Sequence, residues 1–284
     1  MYNRDKIIEV MKEIKAEADE IKPYVIICQP RRDLTEVPAQ KLDGHEGLHV
    51  DFLGFSHAFC NIGGEKVDCA RNYCFEKALE SGAKYMFFVG EDTVIPYKGF
   101  LQLLETSKKF PNSAIVGVYF IKCSSPMVFK KEDSYIFPAN VDPDQPPFEI
   151  WQAGMDAMLI PMDIVRKIKE SDPEIPFTCI GNPSVPGLEN IPFIGEDNYF
   201  YKRTRDCGFS IMCDPRIQCL HCDLKSGKYA AHPSITPEKI KQEYFTNFPM
   251  TGPLTMVDKL EIDSRWISRL PSPGEKKDEL QKNI

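Results

Sequence analysis

The amino-acid sequence predicts an α/β fold in which helices cover both faces of a mostly parallel sheet. Short apolar runs, such as Tyr85–Val89, indicate buried strands. Amphipathic segments with helical spacing of apolar residues, such as 65–81, lie between these runs. The order along the first half of the chain is β, β, α, β, α, β. Strands that alternate with helices in this way are typical of an α/β sandwich.

The composition is that of a globular protein. The 284 residues are 42% hydrophobic and 27% charged, and the net charge is −7. An acidic balance argues against a protein whose main task is to coat nucleic acid. The apolar stretches fall well short of the roughly 18 residues that span a bilayer. The charged N-terminus lacks the apolar segment of a signal peptide, so we expect a cytoplasmic location.

The first elements follow from periodicity and turn residues. Apolar residues at helical spacing predict an amphipathic helix over 5–21. A β-branched run predicts a strand over 24–28, and residues 29–31 are predicted as the loop after it. The partly alternating segment 47–55 is predicted as the second strand, and residues 61–64 as a turn.

The middle of the chain contains the clearest elements. The helix over 65–81 is predicted to end at Gly82, because glycine is favoured just beyond helix ends. The strand at 85–89 follows, then a helix over 100–108 and a buried strand over 114–120.

The second half is predicted with shorter elements. The predicted strands are 127–130, 134–137, 151–160, 209–212 and 217–221, and the predicted helices are 162–171 and 196–207. Residues 172–194 are rich in proline and are predicted as loop.

The organisation into domains is predicted from the change in composition near residue 225. We assign 1–225 to one catalytic domain, with 1–22 as its N-terminal helix. Residues 226–284 are a proline-rich extension, and its charged tail from about residue 272 is expected to be flexible.

The ten cysteines are predicted to be mostly buried, inert thiols. One pair, in Cys219-Leu-His-Cys222, has the spacing of a metal knuckle. A structural zinc site normally needs two such knuckles, and only one is present.

Several nucleotide-binding and hydrolase motifs are absent. The sequence has no GxGxxG after its first strand, no GxxxxGK[ST] and no GxSxG. The first positive signal is Glu91-Asp92, directly after the strand at 85–89. Ligands of open α/β sheets bind at the carboxyl ends of strands, and a hard cation takes carboxylates together with substrate phosphates. The alternative is a solvated acidic turn.

Three further signals are each ambiguous alone. Glu196 and Asp197 open a predicted helix, where acidic residues suit the helix dipole, but one of them could be a general base. His221 follows a predicted strand and is either a packed residue or a ligand. Arg71-Asn72 lies on the helix before the strand at 85–89, where an ordinary salt bridge is the alternative.

The order of these signals resembles that of the GT-A-fold nucleotide-sugar glycosyltransferases. The resemblance is strongest to the inverting kind with one GT-A domain and an acidic metal motif, and it covers roughly residues 22–225. It implies a GT-A-like α/β/α sandwich with a smaller mixed sheet on the acceptor side.

The resemblance also implies a metal site. The Asp-x-Asp of the family is replaced here by Gly90-Glu91-Asp92, so only the second aspartate is present. Asp92 would hold Mn²⁺ or Mg²⁺ bridging the nucleotide diphosphate, and Glu91 would contact ribose or metal-bound water. His221 lies where the family supplies another metal ligand.

The remaining site residues are likewise implied by the resemblance. Asp197 matches the general base of the Glu-Asp motif of the family, and Glu196 precedes it in that motif. Residues expected to bind the nucleotide sugar are Gln29, Pro30, Arg31, Arg71, Asn72, Gly154, Met155 and Lys228.

These expectations describe a transferase. The donor would be a nucleotide-diphosphate sugar, and the acceptor a hydroxyl of a glycan, a lipid-linked glycan, a protein or a nucleic acid. Two other functions stay open. One is a sugar-nucleotide nucleotidyltransferase, against which the lack of glycine in Gln29-Pro-Arg-Arg counts. The other is a GT-A binding module without catalysis. This alternative stays open because Gly90 replaces the first aspartate of the family motif.

Overall fold

A computed structural model describes residues 4–31, 56–96, 98–121, 125–133, 135–178, 195–223 and 228–236. Its helices are α1 Arg4–Glu20, α2 Val67–Ser81, α3 Gly99–Lys109, α4 Met162–Ser171 and α5 Glu196–Asp206. Its strands are β1 Val25–Arg31, β2 His57–Gly63, β3 Tyr85–Val89, β4 Thr93–Val94, β5 Ser113–Val118, β6 Val128–Glu132, β7 Tyr135–Pro138, β8 Phe148–Glu149, β9 Gln152–Ala153, β10 Ala157–Pro161, β11 Ser210–Gln218, β12 Leu220–Asp223 and β13 Lys228–Ala230.

The central sheet has seven strands in the order β2-β1-β3-β10-β5-β11-β8. Strands β2, β1 and β3 are parallel neighbours, as are β5 and β11. Strand β10 lies antiparallel between β3 and β5, and β8 is antiparallel at the edge beside β11. Five strands therefore run in one direction, and the predicted mostly parallel sheet is confirmed.

Helices cover both faces of this sheet because its strands are apolar on both sides. Along β1, Val25 and Ile27 pack into one buried cluster with side chains of α1 and α3. Ile26 and Cys28 alternate with them and pack into a second cluster with side chains of α2, α4 and α5. The α/β/α sandwich expected from the sequence is thus present.

Two smaller three-stranded sheets stand beside the central one. One has the order β13-β12-β4 and the other β7-β6-β9, and every pairing in both is antiparallel. The sequence predicted one smaller mixed sheet. The first of these sheets joins the acidic turn after β3 to the strand that carries His221, so it helps to build the site.

Two turn predictions near the first strand were wrong. Gln29, Pro30 and Arg31 continue β1 instead of forming a loop, and they pair with Asn61, Ile62 and Gly63, which continue β2 instead of turning. The register between β1 and β3 ends at Cys28, so among the described strands the last three residues of β1 are paired in register with β2 alone. Proline is tolerated at such an edge because its missing N–H is not required there. The strand predicted at 47–55 lies outside the described residues.

The segment predicted as one strand over 151–160 is two strands in the structure. β9 ends at Ala153 and β10 begins at Ala157, and Gly154-Met155-Asp156 form the break between them. The strand predicted at 209–212 extends further as β11, which runs from Ser210 to Gln218, and the strand predicted at 217–221 is divided between the end of β11 and β12. The helix prediction at 65–81 is confirmed, and Gly82 ends α2 with a left-handed φ of 69°.

Residues beyond 225 are described only over 228–236. There, β13 pairs with β12, and Ala230 packs into the same buried cluster as α2 and α4. The predicted boundary at 225 falls between these two paired strands. The predicted tail from about residue 272 lies outside the described residues. None of the described helices combines the length and the apolar character needed to cross a bilayer.

Candidate functional site

Two carboxylates and an imidazole converge at the carboxyl edge of β3. Asp92 follows β3 by three residues, Asp156 precedes β10, and His221 lies on β12. One ligand atom from each lies within 4.8 Å of the others. The Nε2 atom of His221 is 3.4 Å from Oδ2 of Asp92. The antiparallel pairing of β4 with β12 sets this approach, because it places His221 opposite Thr93, the residue after Asp92.

Asp156 is a member of this group that the sequence analysis missed. Its strand β10 runs antiparallel to β3, with Ala157 opposite Val89, so Asp156 lies beside Gly90. The amide of Gly90 donates to the carbonyl of Asp156 at 3.1 Å. A Cβ atom at position 90 would lie 2.9 Å from Cγ of Asp156. The glycine therefore leaves the space that the carboxylate of Asp156 occupies.

Arg71 connects this group to the acidic start of α5. Its Nη1 atom donates to Glu196 at 2.9 Å and to the carboxylate of Asp197, and its Nη2 atom is 3.5 Å from Oδ1 of Asp156. The side chain of Arg71 is almost wholly buried, whereas Glu196 and Asp197 keep about a fifth of theirs exposed. One guanidinium thus holds together the two predicted catalytic carboxylates and one of the candidate metal ligands.

The electrostatics of the group shift several pKa values. Burial raises the pKa of Asp197 from its ordinary 3.8 to about 7, and the charge of Arg71 opposes this rise only in part. Burial also raises the pKa of Asp156, again against the charge of Arg71, and the charge of Asp92 raises it further. Burial alone would lower the pKa of Arg71, but Asp197, Asp156 and Glu196 together raise it, so the guanidinium stays charged.

The side chain of Tyr119 contacts both His221 and Asp156. Its ring stacks on that of His221 with 5.5 Å between centroids, and its hydroxyl interacts with Asp156. Burial raises its pKa well above the ordinary value, so the phenol stays protonated. Gly154 lies against this hydroxyl, because a Cβ there would overlap Oη of Tyr119. The neighbouring Met155 is buried in the core, and its role in binding the donor stays a prediction.

The predicted nucleotide-binding residues of β1 lie along the same edge of the sheet. Gln29 is 3% exposed, and Pro30 is half-buried. Both belong to the part of β1 that extends beyond its pairing with β3. Arg31 is the last residue of β1, and its side chain lies outside the described set. That these residues bind a nucleotide stays a prediction.

Three further residues were predicted to bind the nucleotide sugar: Asn72 on α2, Glu91 in the turn after β3, and Lys228 on β13. Both ends of the Asn72 amide bind the backbone of Thr178: Nδ2 donates to its carbonyl at 2.8 Å, and Oδ1 accepts from its N–H at 2.9 Å. Lys228 begins β13 and pairs with Asp223, but its side chain lies outside the described set. Glu91 is buried next to Asp92. Roles for these three residues in nucleotide binding stay predictions.

The donor set fits a divalent cation. Mn²⁺ accepts both carboxylate oxygens and imidazole nitrogens as ligands. Because the protein supplies only three ligands here, coordination positions stay free for oxygens of the substrate. Around them, Glu196 and Asp197 add negative charge, and Arg71 is the guanidinium that faces them. The hydroxyl of Thr93 is also buried beside the group, with no hydrogen-bond partner among the described residues. A bound cation would relieve this local excess of negative charge.

The comparisons with known proteins give only distant similarities. No family model matches the sequence, and no curated protein matches it. The crystal structure of A197 from STIV is 16% identical with a TM-score of 0.44, over 69% of this chain and 84% of that one. GalNAc-T7 with UDP, GalNAc and Mn²⁺ is 10% identical with a TM-score of 0.43, over 71% of this chain and 44% of that one. UDP-glucose pyrophosphorylase complexed with UDP-glucose is 10% identical with a TM-score of 0.35, over 73% of this chain and 77% of that one.

Proposed function

We propose that the chain is a metal-dependent glycosyltransferase that moves a sugar from a nucleotide-diphosphate donor to a hydroxyl acceptor with inversion. The observation that carries the proposal is the junction at Arg71. This one side chain joins Asp156, a candidate metal ligand, to Asp197, a carboxyl with a pKa near neutrality. A site with a cation on one side and a base on the other suits the transfer of a group between two oxygens.

The metal would be held by Asp92, Asp156 and His221. A divalent ion held there would neutralise the negative charge that the departing diphosphate gains. The carboxylate of Asp156 takes the place of the first aspartate of the family motif, which is Gly90 in this chain. The proposal thus has two acidic ligands, as the motif requires, although one follows β3 and the other precedes β10.

Asp197 would act as the general base. Its carboxylate takes the proton of the acceptor hydroxyl, whose oxygen then attacks the anomeric carbon. The bond from that carbon to the diphosphate oxygen breaks, and its electron pair leaves with the nucleotide diphosphate. A general base works best when its pKa lies near the working pH, and the value of about 7 meets that condition. Arg71 orients the carboxylate, and Glu196 shares the same guanidinium.

A thermal-unfolding screen with nucleotide diphosphates tests the donor side. The ligands are UDP, GDP, CDP, ADP and dTDP, each with and without Mn²⁺. A ligand at about 100 times its Kd stabilises the folded state by roughly 2.7 kcal/mol, which gives a measurable rise in Tm. We expect one nucleotide to stabilise the protein only when Mn²⁺ is present. No rise with any of them would contradict the enzyme and favour the binding module.

Two variants make the screen specific. Asp92→Asn removes a proposed metal ligand and should abolish the metal-dependent rise. Asp163→Asn is the matched control, because Asp163 is exposed on α4 and forms an ion pair with Arg166 on the same helix. It should leave the rise unchanged. With a sugar donor, release of the nucleotide diphosphate supports the transferase, whereas exchange of inorganic pyrophosphate into a nucleoside triphosphate would indicate the nucleotidyltransferase.

A further inference from the structure

Three buried cysteines meet close to Arg71 in the hydrophobic core. Cys28 lies on β1, Cys60 on β2 and Cys74 on α2. Their Sγ atoms all lie within 4.8 Å of one another, and those of Cys60 and Cys74 are 3.7 Å apart. All three are free thiols, and the most exposed of them, Cys60, is only 7% exposed.

The fold brings these thiols together through strand register. Cys28 and Cys60 are directly opposite each other in the parallel pairing of β1 with β2, so their side chains point to the same face of the sheet. Helix α2 packs on that face, and Cys74 belongs to the same buried cluster as the other two. The three sulfurs therefore come from three different elements that the tertiary structure fixes relative to one another.

We propose that this cluster binds one thiophilic monovalent metal ion, Cu(I), through its three sulfur atoms. Soft thiolate ligands select soft cations such as Cu(I). A metal–sulfur bond of about 2.3 Å places three ligands in a plane about 4.0 Å apart, close to the spacing observed here. Structural zinc sites are four-coordinate, and among the described residues no fourth cysteine, histidine or carboxylate joins the three thiols.

The proposal is independent of the glycosyltransferase reaction. Binding replaces thiol protons, which pass to solvent, and it cross-links β1, β2 and α2. These elements also carry proposed site residues, since Cys28 precedes Gln29 and Cys74 follows Arg71 by about one helical turn. The competing description is that the three thiols pack only as small hydrophobic side chains.

An anaerobic titration with Cu(I) tests the proposal on the reduced full-length protein. Cu(I) is supplied as a complex with a chromophoric chelator, so that only sites able to compete with the chelator take up the ion. We expect one Cu(I) per chain in the tightest class of site, with ultraviolet thiolate-to-copper charge-transfer absorption. X-ray absorption should show three sulfur ligands and no nitrogen or oxygen ligand.

Single substitutions locate the ion. Cys60→Ala and Cys28→Ala should each weaken the tightest site by more than the roughly 10- to 100-fold that changes around metal ligands cost. Cys69→Ala is the matched control, because Cys69 lies on the same helix but is exposed, and it should bind as the unaltered chain does. The X-ray absorption result on the unaltered protein decides the question even if a variant fails to fold.

Three results would overturn the proposal. One is equal Cu(I) affinity in the two cluster variants and the control. Another is a coordination sphere containing nitrogen or oxygen. The last is tighter binding of Zn²⁺ than of Cu(I), with the same cysteines required for both.

Discussion

At the scale of single residues, the least common feature is a carboxyl group with a pKa near 7. Asp197 has this value because its burial outweighs the attraction of Arg71, although the two side chains are in direct contact. Arg71 divides its charge among Asp156, Glu196 and Asp197, so no single carboxylate receives its full stabilisation. Arg71 therefore holds the carboxylate of Asp197 in place without lowering its pKa below the ordinary value.

The first prediction concerns Asp197→Asn. Transfer should fall by about 10²–10⁴-fold, because the variant cannot accept the hydroxyl proton. The metal-dependent rise in Tm with the nucleotide diphosphate should persist, since Asp197 is not a proposed metal ligand. In the unaltered enzyme, the rate should increase with pH through about 7, as Asp197 loses its proton. A residual rate in the variant that shows the same pH dependence would exclude Asp197 as the base.

The raised pKa of Asp197 leads to a second prediction, about how the free energy of unfolding depends on pH. The folded state holds a proton on Asp197 up to about pH 7, whereas the unfolded chain loses it near 3.8. The folded state therefore binds more protons between these values, and this group lowers the free energy of unfolding as the pH rises from about 4 to about 7. Asp197→Asn should reduce that slope in urea unfolding measured across this range, and Asp163→Asn should not.

The third prediction concerns Gly90. In Gly90→Ala, the new methyl group would lie 2.9 Å from Cγ of Asp156, so this carboxylate must move. We expect Mn²⁺ affinity to fall by roughly 10- to 100-fold, as when the surroundings of a metal ligand are disturbed. Isothermal titration measures it. Asp156→Asn should weaken Mn²⁺ at least as much, and unchanged affinity in both variants would remove Asp156 from the metal site.

At the scale of elements, the position of Asp197 depends on how α5 is fixed. Arg203, near the end of this helix, is buried and donates four hydrogen bonds to backbone carbonyls. The acceptors are Ile175 and Pro176 at 2.7 and 2.8 Å, and Ile168 and Asp172 at 2.9 and 3.3 Å. One guanidinium thus joins α5 to the end of α4 and to the chain that follows it. Its planar fork matches several carbonyls at once, which an ammonium cannot do.

The fourth prediction is that Arg203→Lys lowers the free energy of unfolding by about 2–3 kcal/mol, because buried carbonyls lose their donors. Chemical denaturation with a constant m value measures this loss. Arg166→Lys is the control, since Arg166 is exposed on α4 and its ion pair is with Asp163 three residues earlier. It should change stability by no more than about 0.5 kcal/mol. Equal effects of the two substitutions would contradict a specific role for Arg203.

The sequence predicted elements well where one local rule decided the outcome. Helix α2 and its end at Gly82, and the buried strand β3, follow from periodicity and from a single glycine. It failed where pairing decided the outcome. Pro30 reads locally as the start of a loop, but β2 continues alongside β1 and carries the strand through Arg31. No local signal reports how far a neighbouring strand extends.

At the scale of the whole molecule, the site combines residues that are far apart in sequence. Asp92 was predicted as a ligand from its place after a strand and His221 from the family resemblance, and the structure brings them to 3.4 Å. Asp156 could not be found in this way, because it precedes an antiparallel strand, whereas the rule used concerns the carboxyl ends of strands. A charged residue directly before the buried run of β10 was the one available signal.

The carboxylates at the carboxyl edge of β3 favour metal binding but lower the stability of the metal-free protein. This gives the fifth prediction. Without a metal, Asp156 lies near Asp92 with about a quarter of its side chain exposed, and its raised pKa means that its ionised form is disfavoured in the folded state. Asp156→Asn removes that cost and leaves Arg71 paired with Asp197 and Glu196. Above neutral pH, with a chelator present, the variant should be more stable by roughly 1 kcal/mol, within the range that relief of strained functional sites gives.

The same variant should respond to metal in the opposite sense. Mn²⁺ should stabilise the unaltered protein by RT ln(1 + [Mn²⁺]/Kd), and it should have little effect on Asp156→Asn because one ligand charge is gone. The two unfolding curves should therefore exchange order as Mn²⁺ replaces the chelator. A variant that is less stable in both conditions would mean that Asp156 mainly supports the fold through Arg71. The exchange of order is what a carboxylate kept for binding a cation requires.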